Sequence, residues 1–154
     1  MGKRIRERGY KNMKDLLDLA QKICKEAHAG QVDKACKPYY LHPFHVAEMC
    51  SLEKEKIAAY LHDVIEDNES YSIEYLRKQG FPEDILAAVD KLTHKKGVSY
   101  DEYIKEIKDN DLARVVKIND LTHNSDLNRL SLVTEKDLAR VKKYEYYLKY
   151  LKEA

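Results

Sequence analysis

The chain has 154 residues, a length that suits one domain with its own core, and Asp, Glu, Lys and Arg make up 36% of it against about 25% in an average soluble domain. Yet 28 basic and 27 acidic residues leave a net charge of +1, which argues against a general nucleic-acid binder. With 44% apolar residues the composition does not fit a disordered chain, and no apolar run approaches the roughly 20 residues of a membrane span.

Two further features point to the cytoplasm as the expected location. The opening MGKRIRERGY carries no apolar stretch of the kind a secretory leader needs. The three cysteines, Cys24, Cys36 and Cys50, are odd in number and lack CxxC spacing, so free thiols in a reducing compartment are expected.

In chain order, the first predicted element is a helix over residues 13–27. Met13, Leu16, Leu17, Ala20, Ile23, Cys24 and Ala27 recur there at steps of three and four, which puts them on one face. A loop rich in breakers runs from Gly30 to Pro43, and Pro43 fits the first turn of a short helix, where its missing N–H would be unpaired anyway. Residues 54–66 are predicted as one helix. Its centre, Ile57-Ala58-Ala59-Tyr60-Leu61, is apolar on nearly every side, as in a helix at the middle of a fold. Ser72 caps a short helix that stops at Gly80, Pro82 opens another reaching about His94, and Ser99 caps a third running to about Lys108. Residues 111–124 are again apolar on more than one side, through Leu112, Val115, Val116, Ile118 and Leu121. Thr134 with Asp137 is a weaker relative of a capping box for the last helix, over about residues 135–152. Its Tyr144, Tyr147, Leu148 and Leu151 stripe reads as core packing. No alternating run is long enough for a sheet, so the expected fold is all-α, a single multi-helix domain across residues 1–154.

Chemistry concentrates at His62-Asp63-Val64-Ile65-Glu66-Asp67, where four ionisable groups end an apolar helix. Burying charge costs several kcal/mol per group unless it is paired or metal-bound. His62 and Glu66 are four apart, Asp63 and Glu66 three, and Asp63 and Asp67 four, so a continuous helix would crowd them towards one side. A divalent cation would relieve three neighbouring carboxylates. The competing reading is a solvated acidic helix end with His62 packed in the core. Downstream, Asp120 stands inside an apolar helix and shares a face with Lys117 and Asn124. Lys117 is either its partner or a phosphate contact.

The run from AHAGQ through PYYLHP and HDVIEDN to VKINDLTHN resembles the HD-domain metal-dependent phosphohydrolases. Within them it is similar to the hydrolase domain of RelA/SpoT-type proteins, above all the small single-domain alarmone hydrolases that include the metazoan SpoT homologue. The resemblance covers about residues 14–130, with four separated motifs in the family's order. It implies the HD-domain fold. It also implies His42, His62, Asp63 and Asp120 as metal ligands, Glu66 and Asp67 as the catalytic acidic pair that positions water, and Lys34 and Asn124 as nucleotide contacts. The implied ion is Mn²⁺, with Fe²⁺ or Zn²⁺ also suited to two imidazoles and two carboxylates. The implied reaction is hydrolysis of guanosine 3′,5′-bis(diphosphate), or its pentaphosphate, at the 3′-pyrophosphate. The partner is then a small nucleotide, with neither nucleic acid nor membrane involved. Other phosphate esters, such as the 2′-phosphate of NADPH or a nucleoside monophosphate, and a nucleotide-sensing module without catalysis remain the alternatives.

Three positions depart from the family pattern: Asp33 stands where many members carry arginine, Asn68 where threonine is common, and Asn119 where alanine is usual. No synthetase domain fits in the given length. His28 and His45 match no ligand position, His123 reads as a packing or hydrogen-bonding residue, and His94 as a helix-end residue favoured by the dipole. Lys95, Lys96 and Gly97 could instead form a basic loop over a polyanionic substrate.

Overall fold

The computed structural model describes residues 12–153. Among them every extended element is helical, and the single β-type contact is an isolated bridge between Val32 and Pro38. The all-α expectation therefore holds. No helix among the described residues is long and apolar enough to cross a membrane.

The first helix, α1 (Met13–Ala27), begins where the Asn12 side chain accepts from the Asp15 N–H, and it buries Leu16, Ala20, Ile23, Cys24 and Ala27 as its periodicity requires. Pro43 lies in the first turn of α2 (Leu41–Glu48). In α3 (Glu53–Leu61) all five residues from Ile57 to Leu61 are buried. A single turn, α4 (Val64–Asp67), follows. Then come α5 (Ile73–Lys78), α6 (Glu83–Leu92) and α7 (Tyr100–Lys108). Ser72 and Ser99 accept from the backbone N–H groups of Tyr75 and Glu102, and Pro82 stands at the entrance to α6. Gly80 ends the α5 segment at φ 103°, a conformation that a side chain would strain. Next are α8 (Asp111–Asn124), a 3₁₀ turn over Leu127–Arg129, and α9 (Glu135–Lys152), whose Thr134–Asp137 capping box is complete.

Two helices occupy the centre. α3 packs on α1, α2, α6 and α8, while α8 packs on α2, α3, α6, α7 and α9. Burial on all sides explains why neither sequence shows a clean polar face. Leu151 of α9 is buried and Tyr144, Tyr147 and Leu148 pack partly against the core, so the C-terminal stripe is packing. Cys24 and Cys50 are buried free thiols, and burial pushes the Cys24 pKa up to about 12; Cys36 is free and exposed.

One predicted element is corrected. The helix expected over residues 54–66 breaks at His62 and Asp63. The His62 imidazole takes up the Ala59 carbonyl at 2.5 Å, with the His62 backbone N–H also aimed at it from 3.4 Å. In a continuous helix that carbonyl would accept from the N–H of Asp63. Asp63 instead sits at φ −108° and ψ −1°, and its own carbonyl accepts from Asp67 N–H to start α4.

Candidate metal centre

That break, together with α2 and α8, assembles the cluster. His42 comes from α2, His62 and Asp63 from the α3–α4 junction, and Asp120 from α8. Ligand atoms of His42, His62 and Asp63 lie within 4.8 Å of one another. Asp120 joins them through Oδ1, 2.7 Å from His42 Nε2 and 3.6 Å from His62 Nε2. His42, His62 and Asp120 are only 2%, 1% and 4% exposed.

Hydrogen bonds decide which atoms face inwards. The Ala59 carbonyl can only accept, so His62 Nδ1 carries the proton and Nε2 is turned to the cluster. His62 Nε2 is buried, lies 3.1 Å from Asp63 Oδ2, and makes no hydrogen bond. The Tyr39 hydroxyl donates to Asp63 Oδ2. Asp120 is held on both sides, with Lys117 Nζ donating to Oδ2 at 2.9 Å and Asn124 Nδ2 to Oδ1 at 3.0 Å.

The charges are strongly coupled. Burial alone would push the His62 imidazolium down, but Asp63 and Asp120 outweigh it and hold its pKa well above the usual histidine range. Burial likewise opposes ionisation of Asp120, yet Lys117 and the two histidines keep its carboxyl well below the usual range. A buried imidazole nitrogen without a hydrogen-bond partner, a second imidazole and two carboxylates form a donor set that fits a divalent ion.

Beside the cluster opens a cavity of about 200 Å³, with Glu66, Asp63, Asp120, Lys117 and Asn124 in its walls. Glu66 Oε1 accepts from the His94 backbone N–H at 2.7 Å. Burial, reinforced by Asp63, raises the Glu66 pKa in spite of that bond. Asp67 does not line this cavity. Its Oδ2 accepts from Gln31 Nε2 at 3.1 Å and faces His28 at 3.9 Å, because neighbouring positions of the α4 turn point to different sides. The acidic pair is therefore divided between two environments.

A second cavity of about 270 Å³ shares Tyr39, Asn124 and Tyr144 with the first and adds Lys34, Arg129 and Arg140. Lys34 is exposed on its wall. Here charge is paired: Arg129 Nη2 lies 3.3 Å from Asp33 Oδ2, and Arg140 Nη1 2.7 Å from Asp137 Oδ1. Arg129 also donates to the His123 carbonyl at 3.1 Å. Asp33, noted for replacing an arginine, thus meets an arginine from across the cavity.

Several other polar residues have structural partners, although His28 Nε2 and Ser125 Oγ are buried without one. His28 is buried with Nδ1 bonded to Gln31 Oε1 at 2.9 Å. His94 lies past the end of α6, donates from Nε2 to the Val98 carbonyl at 2.6 Å, and stacks on Tyr103. Lys95 pairs with Asp90 at 3.1 Å. Asn68 Nδ2 donates to the Ala27 carbonyl, and Asn119 Nδ2 to Cys50 Sγ, which gives both departures a packing role. Sequence reasoning assigned no role to Tyr39 or Arg129, and it read Tyr144, which lines both cavities, only as core packing. Tyr39 stands one turn before His42, its one local sign; Arg129, 96 residues from Asp33, has none.

No family model matches the chain.

Proposed function

We propose that this chain is a divalent-metal-dependent phosphohydrolase of the HD-domain kind. It hydrolyses guanosine 3′,5′-bis(diphosphate) or its pentaphosphate in the cytoplasm. The observation that carries the reading is the convergence of His42, His62, Asp63 and Asp120 around a buried, unpartnered His62 Nε2. Those four residues would hold the ion, Mn²⁺ by preference, with Fe²⁺ and Zn²⁺ also matched to the donor set. When bound, such an ion lowers the pKa of water and polarises a phosphoryl oxygen.

The chain's own groups supply the rest. Glu66, fixed by His94 N–H and with its pKa raised, is suited to take a proton from water entering the smaller cavity. Water adds to the phosphorus attached to O3′ and the P–O3′ bond breaks. The 3′ oxygen of GDP or GTP is the leaving group and takes up the proton removed from water, while the attacked phosphorus departs as part of pyrophosphate. Lys117 and Asn124 hold Asp120 in orientation, and Lys117 adds a buried positive charge beside the developing anion. The larger cavity, with Lys34 and Asn124 on its wall, receives the nucleoside part. Asp67 supports the Gln31 side of that cavity through its hydrogen bond.

A second reading keeps the chemistry and changes the ester, to the 2′-phosphate of NADPH or a nucleoside monophosphate. The Asp33–Arg129 pair favours it, since it alters the cavity wall where the related enzymes carry arginine. The test is a panel of ppGpp, pppGpp, NADPH and nucleoside monophosphates with Mn²⁺ supplied. Release of pyrophosphate from the guanosine compounds, abolished by Asp63→Ala, is the expected result. Undiminished turnover in a chelator would overturn the metal-dependent reading, and phosphate release from another ester alone would transfer the assignment to that ester.

A further inference from the structure

His42 has two ring nitrogens and both are committed. Nε2 faces Asp120 Oδ1 at 2.7 Å, and Nδ1 faces Nδ1 of His123 at 2.7 Å. The two imidazoles lie within 11° of parallel, with centroids 5.0 Å apart. That separation, with two nitrogens at 2.7 Å, is that of rings lying edge to edge in nearly one plane rather than face to face. Each Nδ1 therefore points directly at the other, and the pair of nitrogens can share only one proton.

We propose that His123 is a positioning residue for the metal centre: its Nδ1 accepts the Nδ1 proton of His42, so that a cation can displace the Nε2 proton that Asp120 accepts in the ion-free cluster and take the lone pair it frees. This inference rests on the metal-binding reading of the cluster. In the opposite arrangement, with His123 donating, the Nε2 proton held by Asp120 would be the only proton on the His42 ring, and its displacement by a cation would leave an imidazolate rather than a neutral ligand. Only the first arrangement is compatible with His42 as a ligand. The outer partner of a ligating histidine usually fixes its tautomer in this way, and removing it typically costs 10- to 100-fold in metal affinity.

The fold holds His123 for this task. Its other neighbour is the exposed ring of His45, stacked on it with centroids 4.0 Å apart and 20° between planes. Its backbone carbonyl accepts from Arg129, which is anchored in turn on Asp33. The chain of contacts from Asp33 through Arg129 to His123 and His42 thus runs from the wall of the larger cavity to the ligand set.

The test is Mn²⁺ binding, followed by titration calorimetry and by the paramagnetic resonance signal of free Mn²⁺, on wild type, His123→Leu and His123→Asn. Asn is chosen because its side-chain oxygen can take the place of Nδ1 as an acceptor. The dissociation constant is expected to rise about 10- to 100-fold in His123→Leu and to stay within about threefold of wild type in His123→Asn. Thermal unfolding in chelator should be similar for both variants. A His123→Leu protein that binds Mn²⁺ as tightly as wild type overturns the inference while leaving the metal centre intact. A wild-type protein that binds no divalent ion removes the metal centre, and the inference with it. Long-range ¹H–¹⁵N spectra of the Zn²⁺-loaded wild type give an answer that does not depend on any variant folding. Protonated Nδ1 on His42 with unprotonated Nδ1 on His123 is expected, and the reverse overturns the proposal.

Discussion

The two cavities share three residues and differ in how their charge is balanced. Around the smaller one, Asp63, Glu66 and Asp120 face a single lysine, Lys117, and a buried His62 nitrogen is left without a hydrogen bond. Around the larger one, Arg129 and Arg140 are each neutralised by an aspartate. An excess of buried acid is expensive in the absence of a ligand, so the first arrangement points to a cation and to chemistry. A wall whose arginines are already paired, with Lys34 exposed beside them, can select a substrate by shape and by which pair the substrate disturbs.

Mutation of the unbalanced cavity should have the largest effect. Glu66→Gln keeps the shape and the His94 contact while removing the base, so kcat is expected to fall about 10²- to 10⁴-fold. Mn²⁺ binding by calorimetry should be nearly unchanged. Wild-type kcat in this variant would mean that another group, or Asp67 after all, handles the proton.

An intermediate effect is expected from the balanced cavity. Arg129→Ala leaves Asp33 unpaired and facing an anionic nucleotide, which should raise KM by about tenfold, or about 1.4 kcal/mol, with a much smaller change in kcat. If kcat falls and KM does not, the comparison between a chemical cavity and a selecting cavity breaks down.

The smallest effect concerns the fold beneath the second cavity. The Thr134 backbone N–H, then Arg140 and the Thr134 hydroxyl, lower the Asp137 pKa to about 2. Its folded value lies below the unfolded value, so this stabilisation is complete above about pH 3.9 and is lost as pH falls towards 2. Chemical denaturation followed from pH 5 to pH 2 should show wild type losing a stability increment that Asp137→Asn lacks throughout. Equal pH dependence for the two proteins would remove the capping box as its source.

How much of this was legible in the sequence depended on the range of each interaction. Ser72, Ser99 and Thr134 bond to backbone groups three residues away, so local sequence announces them. The buried centre of α3 was legible from its all-round apolarity. The break after Leu61 was not, because it follows from the His62 ring capturing Ala59 O while Asp63 finds Tyr39, 24 residues distant. Loss of helical continuity also undid half of the spacing argument, since Glu66 reached the cavity and Asp67 turned to Gln31. His42 and Asp120 were singled out by motif resemblance, but nothing local could put them 2.7 Å apart across 78 residues. The Asp33–Arg129 pair and the His42–His123 contact are of the same long-range kind, and the sequence carried no sign of either.

The central claim is that His42, His62, Asp63 and Asp120 hold one divalent cation. Anomalous diffraction at the manganese edge, from protein crystallised with Mn²⁺, tests it most directly. The account predicts a single peak among the four side chains, with His62 bound through Nε2. A peak elsewhere, or no peak among the four side chains in the presence of Mn²⁺, would contradict it.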